Sequence, residues 1–456
     1  MQLMRLENTN GLPPEMFYIG YRLWVVDLIN HYMKKTVERF LFSIIAFIFF
    51  ATQHSFAYSV LSHEAIIDET WESSIQPLLK KKYPGATEEQ LKEAHAYVYG
   101  GAIIPDLGYF PFGSPLFTNL LHYVRSGDFV NNILNEAENL NEYAFALGVL
   151  CHYNADNYGH PLGTNRAVPV LFPKLEKKYG DTVTYAQGHI AHTRTEFSFD
   201  VLQVVQSDYK SLAYHDFIGF EIAQPLLERA FLKTYGLKME SIFISLETAI
   251  GTFRWTVKNL FPELTKDAWQ IKRTYFFNDN PTARAKDFMK PKAYMYSMNK
   301  KDYSKEFGNK RKKGGPKSWL VSIVIRVFPK IGPMKAIKFT EPVPEVVELY
   351  EKSMDSSVLH YKILLKNLMI HKPDFENIDF DTGEETKAGE YLPCDETYCA
   401  LLQELQKQNF GNISPELGKN ILNFFSQKDS LKIKMKGNSW KKTETALEEL
   451  KAIQSK

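Results

Sequence analysis

The run Gly148-Val-Leu-Cys-His-Tyr-Asn-Ala-Asp-Asn-Tyr-Gly-His160 sets His152, Asp156 and His160 at intervals of four. On an α-helix, residues i and i+4 share a face, with Cβ atoms about 5–6 Å apart. That face would aim an imidazole, a carboxylate and a second imidazole at one place. His189-Ile-Ala-His-Thr-Arg-Thr-Glu196 repeats the spacing with His192 and Glu196. Nitrogen and carboxylate donors in this mixture suit zinc. Clustered zinc ions polarise phosphoryl oxygens and lower the pKa of bound water, which is the chemistry of phosphodiester hydrolysis.

Other segments add donors. His63 lies in Ser62-His-Glu-Ala65, Asp106 closes Gly101-Ala-Ile-Ile-Pro-Asp106, and His122 lies in Asn119-Leu-Leu-His-Tyr-Val-Arg-Ser-Gly-Asp128. Seven of the twelve histidines fall between positions 63 and 192, about twice an even spread. Each residue alone has a plainer reading. A histidine on an apolar helix is commonly a satisfied core group, Asp106 after Pro105 suits the cap of a turn, and Asp156 suits a solvated face. Two His–carboxylate pairs at helical spacing, with three further donors, favour a site over scatter. Cys151, beside His152, reads as a small buried residue.

The elements that would position these side chains are helical. Residues 69–79, 88–100, 138–153 and 180–214 carry apolar residues at three- and four-residue spacing, and 223–261 holds at least two more such stretches. Asp106 is expected on a turn at the end of a helix. Turn signals fall at Pro84-Gly85, Gly100-Gly101, residues 111–115 and Gly159-His-Pro161. No alternation of period two argues for a large sheet, and no solenoid-length repeat is present. The expectation is an all-α protein.

Composition places the chain among folded proteins: 44 % hydrophobic, 14 % aromatic and 24 % charged over 456 residues. The net charge of +2 is too balanced for nucleic acid to be the partner of the chain as a whole. Locally the charge is uneven. Residues 290–317 hold ten Lys or Arg against two acids, followed by the apolar segment from Trp319 to Phe328. A solvated loop leading into a core helix explains this pattern; so does peripheral contact of residues 290–330 with an anionic lipid surface, each basic residue adding about 1 kcal/mol. Residues 343–369 and 398–408 look like ordinary amphipathic helices.

The N-terminal region carries an export pattern. Met33-Lys-Lys-Thr-Val-Glu-Arg39 is basic, residues 40–50 are apolar, and Ser55-Phe-Ala57 offers small residues where signal peptidase reads. A bilayer-spanning helix needs about 20 apolar residues, about twice this run. Residues 33–57 are therefore expected to be a cleaved signal peptide, with 1–32 an upstream extension from a misplaced start and the protein secreted to the periplasm or beyond. Cys394 and Cys399 would then have an oxidising compartment in which to pair.

The ordered pattern His63, Pro105-Asp106, His122, His152-x3-Asp156-x3-His160, His192-x3-Glu196 resembles the zinc-dependent phospholipase C family. The resemblance spans roughly residues 58–200. That family shares an all-helical fold with single-strand nucleases of the P1/S1 type and with the N-terminal domain of glycosylphosphatidylinositol-specific phospholipase D. It implies a catalytic domain over 58–277, followed by a mostly helical C-terminal region over 278–456. It also implies three zinc ions. Asp106, His122 and His152 would hold the first, with Asp156 bridging to another. His160, His192 and Glu196 would hold the second. His63 and Asp156 would hold the third with the mature N-terminal residue, here Tyr58, through its backbone amine and carbonyl. The relatives carry Trp at that terminus, so Tyr58 is a departure. His189 competes with His192 but stands seven residues from Glu196 rather than four.

The resemblance further implies that Asp106 both ligates zinc and orients the attacking water. The substrate expected is a glycerophospholipid, cut to release its phosphorylated head group. A single-stranded nucleic acid is the alternative. Tyr109, Phe110 and Phe112 would serve either, as a wall for a quaternary amine or a platform for a base, or belong to the core. A third reading is a non-catalytic zinc-containing domain that binds membrane. Eight donors and a terminus exceed the four that a structural zinc site needs.

Overall fold

The structure is a computed structural model that describes residues 60–206, 220–257, 339–370, 374–427 and 438–454. The upstream extension, the signal peptide, Tyr58, the basic stretch 290–317 and the apolar segment 319–328 lie outside the described residues. α1 (Val60–Thr70) runs through a π-turn, Trp71–Ile75, into α2 (Gln76–Lys82). α3 (Glu88–Ile103) tightens into a 3-10 turn, Ile104–Tyr109, before α4 (Pro115–Tyr123) and α5 (Ser126–Glu136). α6 (Leu140–Gly159) passes through a second π-turn, His160–Thr164, to α7 (Asn165–Leu171) and α8 (Pro173–Tyr179). α9 (Tyr185–Gln206) is interrupted at Gly188. α10 (Gln224–Tyr235) and α11 (Leu246–Trp255) follow. Later in the chain come α12 (Pro344–Leu368), α13 (Leu392–Lys407), α14 (Pro415–Phe425) and α15 (Asn438–Gln454). The architecture is all-α, as expected. Among the described residues the only β-pairing is an isolated bridge between Ile378 and Glu385. No helix among them is long and apolar enough to cross a membrane.

Local chemistry sets the helix starts. Thr87 follows the Pro84-Gly85 turn; its hydroxyl accepts from Gln90 N at 3.2 Å while Gln90 Oε1 accepts from Thr87 N at 2.9 Å, a reciprocal cap that opens α3. Asn139 caps α6 by accepting from Glu142 N at 3.0 Å, and Ser114 with Pro115 opens α4.

α6 is the central element. Residues 142–156 are all buried, which is why its apolar positions go nearly all the way round. Phe145, Leu147 and Leu150 have no exposed surface, and each contributes about 1.5–3 kcal/mol by burial. α3 crosses α6 at a pair of glycines. A Cβ on Gly101 would stand 1.9 Å from Phe145 O, and one on Gly148 would stand 2.1 Å from Val98 O. Only glycine permits this approach. The expectation of a turn at Gly100-Gly101 is therefore corrected: both lie inside α3, where Gly101 makes room for α6 and Gly100 for the carbonyl of Glu221.

The region beyond residue 278 supplies part of the same core. Tyr361 of α12 donates to Leu147 O at 2.8 Å, and Asn154 of α6 donates to Ser357 O at 2.7 Å. Between α12 and α13, residues 374–391 lie against the α4–α5 corner. Ser126 Oγ donates to Ile378 O at 2.6 Å, and Phe380 N donates to His122 O at 3.1 Å. Cys151, Cys394 and Cys399 are all buried, and none of them is in a disulfide. The pairing allowed for Cys394 and Cys399 is not formed; they sit five residues apart on α13, which turns their side chains to different faces.

Candidate metal centre

Six elements carry the donors. α1 presents His63, the 3-10 turn after α3 presents Asp106, α4 presents His122, and α6 presents His152 and Asp156. His160 opens the π-turn that ends α6, and α9 presents His192 and Glu196. All eight residues are at most 4 % exposed. The glycine crossing brings α6 close enough to α3 for His152 Nδ1 to bond Ala102 O at 2.8 Å, a few residues before Asp106. The Asp106 turn is fixed in the same way. Gly108 N donates to Thr118 Oγ1 at 2.8 Å, and that hydroxyl donates to Pro105 O at 2.6 Å.

His122, His152, Asp106 and Asp156 converge. His122 Nε2 lies 3.4 Å from Asp106 Oδ1, 3.5 Å from Asp156 Oδ2 and 3.3 Å from His152 Nε2. His152 Nε2 lies 3.1 Å from Asp156 Oδ2 and 3.9 Å from Asp106 Oδ1. Four ligands held tetrahedrally at zinc distances stand about 3.3 Å from one another, and these five separations scatter around that value. Backbone bonds fix the tautomers. His122 Nδ1 faces Thr118 O at 2.9 Å, as His152 Nδ1 faces Ala102 O. Both Nδ1 atoms therefore carry the proton, which leaves each Nε2 as the atom turned toward the carboxylates and toward the other ring. This is the outer-shell arrangement that prepares imidazoles for a metal. His63 joins from the other side, with Nε2 3.2 Å from Asp156 Oδ1 and its ring stacked 4.5 Å from that of His152.

A second group surrounds His160 and His192, whose Nδ1 and Nε2 lie 3.0 Å apart. Glu196 Oε1 is 3.0 Å from His192 Nε2 and 3.8 Å from His160 Nε2. Asp381, from the loop between α12 and α13, reaches the same pair: its Oδ1 is 3.4 Å from His160 Nδ1 and 4.0 Å from His192 Nε2. Asp156 Oδ1, 3.7 Å from His160 Nε2, links the two groups. Three sets of donor atoms cluster closely enough to hold an ion: His63, His152 and Asp156; Asp106, His122 and His152, which shares His152 with the first; and His160, His192 and Asp381.

Burial sets the electrostatics. It pushes the Glu196 carboxyl well above the usual carboxylate range and His192 down to about 3. Burial acts the same way on His122 and Asp156, but their neighbours outweigh it. The adjacent Asp106 and Asp156 carboxylates carry His122 up to about 9, and the neighbouring His152 and His160 hold Asp156 well below the carboxylate range. Asp106 Oδ1, Asp156 Oδ2, both oxygens of Glu196 and Asp381 Oδ1 are buried without a hydrogen-bond partner. Orphaned buried carboxylate oxygens are costly unless a cation meets them. A divalent ion in each group would satisfy them through the lone pairs already turned inward, so the residues present fit zinc.

The cleft beside the cluster is lined by Tyr109, Tyr123, Tyr185, His122, His160, Glu196 and Asp381. Of the aromatic run expected to serve substrate, Tyr109 faces this cleft, 6.1 Å from the His122 ring. Phe110 is core, packed against Phe253, and Phe112 is half exposed. His189 is exposed, while His192 is fully buried in the cluster. Sequence reasoning missed Asp381 and Phe380, whose ring packs 5.0 Å from that of His122 and 5.8 Å from that of His152. Their run, Asp379-Phe-Asp-Thr-Gly383, has turn-forming residues and no spacing that marks a ligand.

No curated protein and no solved structure gives a significant match to the chain. Residues 62–243, the segment that carries all eight expected histidine and carboxylate donors, match the family model described as zinc dependent phospholipase C.

Proposed function

We propose that the protein is an exported zinc-dependent phosphodiesterase, a phospholipase C that releases a phosphorylated head group from a glycerophospholipid. One observation carries this reading: Asp106, His122, His152 and Asp156 set their donor atoms 3.1–3.9 Å apart with no hydrogen bond to Asp106 Oδ1 or Asp156 Oδ2. The match to that family model supports a phospholipid substrate. Zinc bound here supplies Lewis acidity toward a phosphoryl oxygen and brings the pKa of water toward about 7. The chain's own groups do the rest. Asp106 holds the attacking water in line and takes its proton. Tyr109 and Tyr123, whose phenols burial holds well above their ordinary pKa, stay protonated and can donate to an anionic phosphate. Water oxygen bonds to phosphorus, the bond from phosphorus to the glycerol oxygen breaks, the released diacylglycerol oxygen takes a proton from solvent, and Asp106 returns to solvent the proton it received. Three zinc ions, export through residues 33–57 and lipid-surface contact through residues 290–330 belong to the same proposal.

The test is one purified sample with zinc measured and phosphatidylcholine, phosphatidylinositol and single-stranded DNA assayed together, with His152→Ala as control. Zinc near three per chain and head-group phosphate released by the wild type alone support the proposal. Nucleotide release would replace it with a nuclease. Metal without hydrolysis of any substrate would leave a zinc-containing binding domain.

A further inference from the structure

We propose that Asp381 is a direct ligand of the ion held by His160 and His192, and that with Glu196 it gives this ion four protein ligands. The proposal rests on the zinc reading above but adds a donor from beyond the matched segment 62–243.

Asp381 is 2 % exposed, and its two oxygens differ. Oδ2 is fully engaged, accepting from Tyr185 N at 2.9 Å and from the Tyr391 hydroxyl. Oδ1 has no hydrogen-bond partner and points at His160 Nδ1 and His192 Nε2. The backbone is anchored as well: Asn165 Nδ2 donates to Asp381 O at 2.6 Å. Two donors on one oxygen and an open lone pair on the other are how a ligating carboxylate is oriented by its outer shell. The loop that delivers it is stiff. Thr382 N and Gly383 N both donate to Asp379, at 2.7 Å and 3.0 Å, and Gly383 takes φ +72, where glycine is favoured.

The consequence is a division of labour. Two imidazoles and two carboxylates neutralise a dication and close its coordination, which is the pattern of a structural zinc. The ion between α9 and the π-turn would then tie residues 374–391 to the catalytic segment. The chemistry would fall to the group around Asp106, His122 and His152.

Zinc affinity and stoichiometry of the full chain, read by competition with a chromophoric chelator, test this without an activity assay. Asp381→Asn should lose one equivalent of zinc, or weaken one site by about 100-fold or more, and leave the others unchanged. Tyr391→Phe removes one bond to Oδ2 and should weaken that same site by about tenfold. With cobalt in place of zinc, Asp381→Asn should lose the visible absorption of one tetrahedral ion. Wild-type zinc binding in both variants would overturn the role of Asp381 and leave the phosphodiesterase reading standing. An effect of Asp381→Asn below about tenfold would also overturn it, making Asp381 a hydrogen-bonding neighbour of His160. If Asp381→Asn does not fold, Tyr391→Phe decides, and unchanged affinity there overturns the proposal. A wild-type chain that binds no zinc would instead overturn the functional reading.

Discussion

Replacing Gly148 by alanine places a methyl group where α6 crosses α3. Its Cβ would stand 2.1 Å from Val98 O, 2.7 Å from Ala102 N and 2.8 Å from Gly101 Cα, all of them backbone atoms that cannot swing aside. Ordinary contact begins near 3.4 Å, so the helices must part by 3.4 − 2.1 = 1.3 Å. His152 lies one turn further along the same face. Its 2.8 Å bond to Ala102 O would open toward about 4 Å, beyond hydrogen-bond range. Overpacking of this kind costs about 1–3 kcal/mol, and the better helix propensity of alanine returns up to about 1 kcal/mol. A net loss of about 1–2 kcal/mol is expected by urea unfolding of the metal-free protein. Freeing His152 Nδ1 removes an outer-shell bond and should weaken zinc by about tenfold. Gly251 is the control. It lies in α11, and a methyl group added there would meet no atom within 4 Å, so Gly251→Ala should stabilise by about 0.5–1 kcal/mol. Equal or greater stability of Gly148→Ala, with wild-type zinc affinity, would refute the claim that the crossing positions the site.

Other outcomes follow from the same contacts. Stripping zinc with a chelator should lower the melting temperature, because ligand at about 1,000 times its Kd adds about 4 kcal/mol to the folded state; a melting curve that does not move would contradict buried metal. His192→Ala should abolish zinc at one site and destabilise the protein, whereas His189→Ala, exposed outside the cluster, should change stability by no more than about 0.5 kcal/mol; equal effects in a zinc titration would reverse the assignment. His95 is buried against Trp71, and burial lowers its pKa from 6.5 to about 3. The unfolded chain takes up that proton below about pH 6.5 and the native state does not, so His95 costs stability as pH falls through this window, about 1.4 kcal/mol per pH unit. Chemical denaturation from pH 7 to 4 should show His95→Phe losing one proton's worth of slope; parallel curves would mean that His95 is charged when folded.

What could be read from the sequence divides by the range of the interaction that carries it. The i,i+4 spacing of His152 and Asp156 is a local property of α6, and Pro105 marks the turn that presents Asp106; both were legible without a structure. The spacing also set His192 above His189. That His63, Asp106 and His122 join the α6 donors followed from no periodicity; it came with a recognised order of residues. Asp381 was beyond reach of either. It enters the cluster only because residues 374–391 dock on the α4–α5 corner, and that docking is made of backbone bonds, Phe380 N to His122 O and Ser126 Oγ to Ile378 O, whose partners lie some 250 residues apart. Gly100-Gly101 shows the same limit from the other side. Two adjacent glycines suit a turn by their freedom and a crossing by their size. The first is a property of the residues themselves, the second of the carbonyls that approach them, here Phe145 O of another helix at Gly101 and Glu221 O at Gly100.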